Sequence, residues 1–500
     1  MNFASLFFAV QVLTNPPLPP GTPLEVRLSS TVGTYASKAG DAVTAELIVP
    51  VMREGQTILP AGSKLSGTLK SVQRVGYGFV HESGALDFAW NRVTLPDGTS
   101  FPLSAKVQAV DTGRERVTED GSIRGWRKTS SLAYRFSGYV RTAVSWEVEA
   151  PLALWMCKML LVQLPEPELY YPAGVELSLQ LTQPLLGPQP EPTEALPSLT
   201  EPERERLEPL VQQLPWRATD PKHGRPSDMV NMMFIGSKED LMTTFAVSGW
   251  SQAQPSNMHT RVQQIRAVSE GHGFLSAPMT NLRINNVGPD LSLQKGFNDL
   301  SKRHHIRIWK YPEDWDGNEV WIAAATRDVD FAFLRPGHPL THKIERNVDN
   351  EREKVIHDLT FSECVETLDR VERPDVPYLT RNATGDPMNT DGRLAIVKLN
   401  DCEAPRHSVA ASAEPIPVHG NGVQRWVRRE VLTFRNDMLR ENVYWRSYEG
   451  IRWTVTALHD RRQVMHARNL GIAAESEVQL ARLRSQRHPG RGHAFADLLR

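Results

Sequence analysis

The sequence predicts a multidomain protein: an N-terminal antiparallel β-barrel, then an α+β domain, then a basic, partly helical tail. Three observations carry that reading. Residues 18–186 alternate apolar and polar side chains with period two, the pattern of half-buried strands. A Pro- and Glu-rich stretch follows at 187–222. Beyond it, from 223 to 400, strand and helix periods interleave, an order that lays helices against a sheet. A chain of 500 residues also exceeds what one hydrophobic core usually organises.

The first 17 residues form a signal-like hydrophobic N-terminus. MNFASLFFAVQVL is apolar enough for the core of a secretory signal, although no Lys or Arg precedes it, and it is too short to span a bilayer. APLALWMCKMLLVQL, 150–164, is interrupted by Pro151 and Lys158 and reads as a buried segment. Between these two, LEVRL, AVTAELIVPV, KLSGTLKSV and LDFAWNRVTL alternate as strands, and VELSLQLTQPL follows the second. An internal echo organises them. PPGTPLEVRL (19–28), PAGSKLSGTL (60–69) and PAGVELSLQL (172–181) each set a Pro-x-Gly corner before a strand. Gly supplies the positive φ and Pro fixes the entry, so the chain turns sharply into each strand. Many short strands with such turns predict a closed or nearly closed barrel. The ordered set of PPGTPLEVRL, AGDAVTAELIVPV, LPAGSKLSGTL, LPDGTSFPL and YPAGVELSLQL resembles the β-barrel domain of TrbI-like proteins of conjugation and type IV secretion. The resemblance covers about a third of the chain and implies a barrel and a periplasmic address. The membrane helix and proline-rich arm of that family have no counterpart ahead of this barrel, so a channel role is not expected.

GPQPEPTEALPSLTEPERERLEPLVQQLPWRATDPK, 187–222, reads as a linker that buries little surface, with a short helix capped by Thr200. In the next domain MVNMMFIGS (229–237) is a strand and KEDLMTTFAVSGW (238–250) a helix ended by Gly249. A second helix covers about 258–269. DLSLQKGF, RHHIRIWKY and EVWIAAATRDVDFAF are strands, 347–365 is a helix and GRLAIVKL (392–399) a closing strand. A ferredoxin-like two-layer arrangement fits this order. VNMMFIGSKEDLMTTFAVSGW, KRHHIRIWK, VWIAAATRDVDF and THKIERNVDNEREKVIHDL occur in the order found in the LssY-type C-terminal domain, which this region resembles over about 150 residues. That family's namesake travels with a secretion system and relatives join the domain to membrane phosphatases. The resemblance implies no assigned activity for the domain itself, and the phosphatase's bundle of membrane helices is not seen here.

From 421 onward the chain holds 15 Arg, no Lys and 8 acidic residues. Trp445 and Trp453 lie among those arginines, so the 401–500 tail is either a solvated helix packed on the domain or a surface that meets anionic lipid or another acidic partner. For the whole chain the formal net charge is −1, which argues against a nucleic-acid partner. Cys157, Cys364 and Cys402 make no zinc spacing, but an exported chain could join two of them. GxSxG, GxGxxG and P-loop motifs are absent.

Strand alternation puts His305, Arg307 and Trp309 on one face of RHHIRIWKY and His304 with Ile306 and Ile308 on the other. In VWIAAATRDVDF, Thr326 and Asp328 share a face opposite Arg327. If the two strands are neighbours, His305, Arg307 and Asp328 converge. His342, Asp349, Glu351 and Arg352 enter from the last helix and the segment before it, with Asp349 in its opening turn. His305, Asp328 and His342 are thus the candidate catalytic residues, and with Asp349 the candidate metal ligands. Arg307, Arg327 and Arg352 are candidate anion-binding residues. No cofactor is identified, and no HxH, HExxH or HxxxH spacing supports a metal. The structural alternative makes Arg327–Asp328 and Asp349–Arg352 ion pairs and His304 a satisfied core histidine. The expected function is an envelope or secretion-associated binding or scaffold protein, with a metal- or phosphate-handling hydrolase as the alternative. An envelope protein or an anionic ligand is the expected partner, with peripheral membrane contact through the tail. The expected address is the periplasm or cell envelope, with the cytoplasm as the alternative.

Overall fold

The computed structural model describes residues 18–402, apart from 78–80, 128–129, 133–166, 187–195 and 336–337, and short stretches between 422 and 465. The signal-like N-terminus, the apolar 150–164 segment, Trp445 and Trp453 lie outside the described residues.

Six strands close the N-terminal barrel: β1 (Pro23–Leu28), β2 (Ala42–Leu47), β3 (Lys64–Gln73), β4 (Ala85–Thr94), β5 (Ser100–Val110) and β6 (Glu176–Leu181). Each pairs antiparallel with the next, and β6 returns to β1, so the ring has no open edge. The three predicted corners are built alike. Gly21, Gly62 and Gly174 have φ of 92°, 83° and 97°. The amides of Thr22, Ser63 and Val175 close back on the carbonyls of Pro19, Pro60 and Pro172. This is the turn that needs glycine at its third position. Alternate side chains of all six strands then meet inside, among them Val26, Leu47, Leu65, Val93, Val107 and Leu177.

The second domain is a mixed sheet of β7 (Met232–Ile235), β8 (Ser251–Gln252), β9 (Leu291–Lys295), β10 (Arg303–Lys310), β11 (Val320–Arg335), β12 (His338–Ile344), β13 (Val365–Glu372) and β14 (Arg393–Leu399). Its strand order is β8–β9–β10–β11–β7–β14–β13. β7 and β14 run parallel and the other pairs antiparallel. β12 pairs with the far half of β11. The helices are α1 (Glu201–Gln213), α2 (Lys238–Val247), α3 (Met258–Glu270) and α4 (Val348–Phe361). Ser237 caps α2, and Gly249 follows its end with φ 86°, as the sequence led one to expect.

Helices and sheet make the expected α+β class, with one layer more than the two-layer expectation. Met232, Phe234, Ile306 and Ile308 face α2 and α4. Their neighbours Met233 and Ile235 face the other way, where Leu207 and Val211 of α1 cover them. Thus the Pro- and Glu-rich stretch does bury surface. Its apolar residues are few, but Leu207 and Val211 are four apart and fall on one side of the helix. The expected Thr200 cap is present, with Glu203 closing a capping box.

Barrel and second domain belong to one compact unit. Arg27 and Glu176 of the barrel meet Lys295, Lys354 and Asp358 in a buried network with contacts of 2.6–2.9 Å. Cys364 and Cys402 are disulfide-bonded, joining the residue before β13 to the segment leaving β14. Among the described residues no helix is long and apolar enough to cross a membrane. In the tail, described by itself, residues 454–463 are helical.

Candidate functional site

β10 and β11 are neighbours, with Arg303 opposite Asp328 and His305 opposite Thr326. The alternation that aims Ile306 and Ile308 at α2 and α4 therefore aims Arg303, His305 and Arg307 at the opposite face. There they line a cavity of about 750 Å³ between the sheet and the segment from α3 to Leu282. Asp328 lines the same cavity. Arg303 Nε donates to one carboxylate oxygen at 2.7 Å, and His305 Nε2 lies 3.0 Å from the other. His342, delivered by β12, places Nδ1 3.3 Å from Asp328. That nitrogen is buried and has no hydrogen-bond partner among the described residues. Arg307 donates to Asp228 at 2.8 Å and to the Thr280 carbonyl at 2.9 Å.

The charges follow from this packing. Burial alone would raise Asp328, but His342, His305 and Arg303 outweigh it and hold the carboxyl well below its usual range. Burial takes His342 down to about 4, so the ring is neutral at pH 7. His305 has both nitrogens engaged, Nε2 with Asp328 and Nδ1 with Thr326 Oγ1 at 3.1 Å.

The sequence candidates thus separate. His305, Arg307, Asp328 and His342 share one cavity wall. Arg327 faces the other side of the sheet and donates to Asp111 of the barrel at 2.9 Å. The alternative Arg327–Asp328 ion pair gives way because adjacent strand residues point to opposite faces. Asp349 lies in the opening turn of α4, as expected, but does not line the cavity. Its carboxylate is taken by Arg352, Thr390 and the Asp391 amide. Arg352 is held by Asp349 and Asp391. Among the described residues no group of three or more His, Cys, Asp or Glu is arranged to hold a metal ion.

His304 is buried and satisfied, as the structural alternative has it. Nδ1 lies 2.7 Å from Glu351 and Nε2 2.9 Å from Asp111. Burial opposes its charge, yet Glu351 and Asp111 push its pKa to about 9. Three residues escaped the sequence reading. Arg303 was legible, being two residues before His305 on the same strand face. Asp228 and Asp111 gave no signal, since only the tertiary fold brings them to Arg307 and His304.

The comparisons with known proteins agree with the second of the two resemblances. Residues 211–394 match the family model of the LssY C-terminus. The cavity and the His304 bridge both lie on this LssY-like domain. No curated protein matches the chain. Among solved structures it is similar to ComB10 of the Com type IV secretion system of Helicobacter pylori. That likeness has 12% identity and a TM-score of 0.21, over 36% of this chain and 94% of that one.

Proposed function

We propose that the LssY-like domain is a binding module whose cavity takes a small organic anion with an apolar body. One observation carries this reading. Arg303 and Arg307 are buried on the cavity wall, and their hydrogen bonds to described residues run through Nε and Nη1. The Nη2 donors of both are left without a partner among those residues, and guanidinium donors suit a carboxylate or phosphate head. Val268, Met279, Leu300 and Phe331 supply apolar wall for the rest of the ligand. Engagement of both His305 nitrogens favours binding over catalysis by that residue. The Cys364–Cys402 bond supports an oxidising, envelope address. The test is thermal unfolding of the full chain with decyl phosphate or decanol below their aggregation limits. The phosphate should raise Tm by mass action on the folded state and the alcohol should not. Equal effects, or none from the phosphate, defeat the reading.

A second reading, phosphate-ester hydrolysis, is favoured by His342, a neutral ring on the cavity wall beside Asp328. A general base needs such a positioned, uncharged nitrogen. Turnover of p-nitrophenyl phosphate that disappears in His342→Gln would support it, and absence of turnover by the native chain would exclude that substrate class.

A further inference from the structure

α3 divides its surface into three faces. Thr260 and Ala267 are buried against the domain. Arg261, Gln264, Ile265 and Val268 line the cavity. Met258, Val262 and Ile265 stand 79%, 46% and 64% exposed. The last three are spaced i, i+4, i+7, so they form one outward stripe over two turns. Ile265 belongs to both the stripe and the cavity wall, which makes the apolar surface continuous from solvent into the cavity.

Charge says what covers the stripe. Arg261 flanks it on the cavity side, His259 and Arg266 on the other. Arg261 is exposed and makes its side-chain hydrogen bond to the Ser256 hydroxyl. The helix's one acidic residue, Glu270, is buried at the far end and bonded to Arg266 and His272. An exposed apolar stripe edged by Arg261, which makes no ion pair among the described residues, and with no exposed carboxylate on the helix, suits a helix lying in a lipid headgroup layer. A polar protein surface would leave Met258 and Ile265 uncompensated, whereas an anionic lipid surface accommodates the apolar stripe and Arg261 together.

We propose that α3 docks on an anionic lipid surface and that a lipid enters the cavity past Ile265 and Arg261. The lipid identity rests on the anion-binding reading above, whereas the docking does not. The headgroup would meet the Nη2 donors of Arg303 and Arg307, and the chain would follow along Ile265 and Val268.

The experiment reads docking locally, so that the arginine-rich tail cannot mimic it. In the full-length chain Cys157→Ser leaves the introduced cysteine as the one cysteine outside the Cys364–Cys402 bond, and Val262→Cys carries an environment-sensitive fluorophore. Phosphatidylcholine vesicles with and without phosphatidylglycerol are added. A blue-shifted, brighter emission with the anionic vesicles only is the expected result. Adding Met258→Gln and Ile265→Gln, both at exposed sites, should weaken that response roughly tenfold or more in lipid concentration. Sedimentation with vesicles but no emission change overturns the proposal, as does an unchanged response in the glutamine variant. The decyl phosphate measurement separates the two readings. Emission change without stabilisation by decyl phosphate leaves α3 docking intact and removes the cavity ligand.

Discussion

Replacing His304 by glutamine removes a buried cation held between Asp111 of the barrel and Glu351 of the LssY-like domain. Its ring is 1% exposed and sits 2.7 Å from Glu351 and 2.9 Å from Asp111. At roughly 1.4 kcal/mol per tenfold in proton affinity, the rise from 6.5 to about 9 corresponds to about 3 kcal/mol of stability. Because the folded-state value is raised, this contribution is complete below about pH 6.5. It is lost progressively as pH climbs through 9. Denaturant unfolding of native chain and variant, at pH 6 and again near pH 10, isolates the effect. At pH 6 the variant should be less stable by about 3–5 kcal/mol, the penalty for leaving buried carboxylates without their partner. Near pH 10 the gap should narrow by about 3 kcal/mol, since the native imidazole is then neutral too. A gap that stays constant across the range would refute the bridge as the source of the displaced pKa.

Asp328→Asn removes the carboxylate shared by Arg303, His305 and His342, and should lower unfolding free energy at pH 7 by about 3–5 kcal/mol. Its carboxyl is held below the usual range, so that stability is present above the ordinary Asp pKa and fades as pH falls. The native-minus-variant difference in denaturant titrations should therefore shrink in acid, and a difference independent of pH would count against the assignment. The Cys364–Cys402 bond closes a 38-residue separation, for which loop entropy gives about 2–4 kcal/mol. Dithiothreitol should lower the Tm of the native chain and leave that of a Cys364→Ser/Cys402→Ser variant unchanged. Equal behaviour of the two would remove the bond from the account of stability.

What the sequence alone determined is whatever depends on short-range periodicity. Period two decides which residues of RHHIRIWKY share a face, so alternation by itself separates His305 and Arg307 from His304. Likewise Pro-x-Gly at 19–21, 60–62 and 172–174 specifies three turns, because each third position needs positive φ. Tertiary structure alone decided which strand lies beside which, and so which charges meet. Arg327 and Asp328 are adjacent in the chain yet pair on opposite faces, one with the barrel's Asp111 and the other with Arg303. The 187–222 stretch looks like linker by composition, but two well-placed apolar residues in α1 cover a sheet face. Coulomb attraction and burial act over a few ångströms in space, not along the sequence. The partners of His304 and Arg307 are therefore set by the closure of a barrel and a sheet whose contributing residues lie up to 193 positions apart.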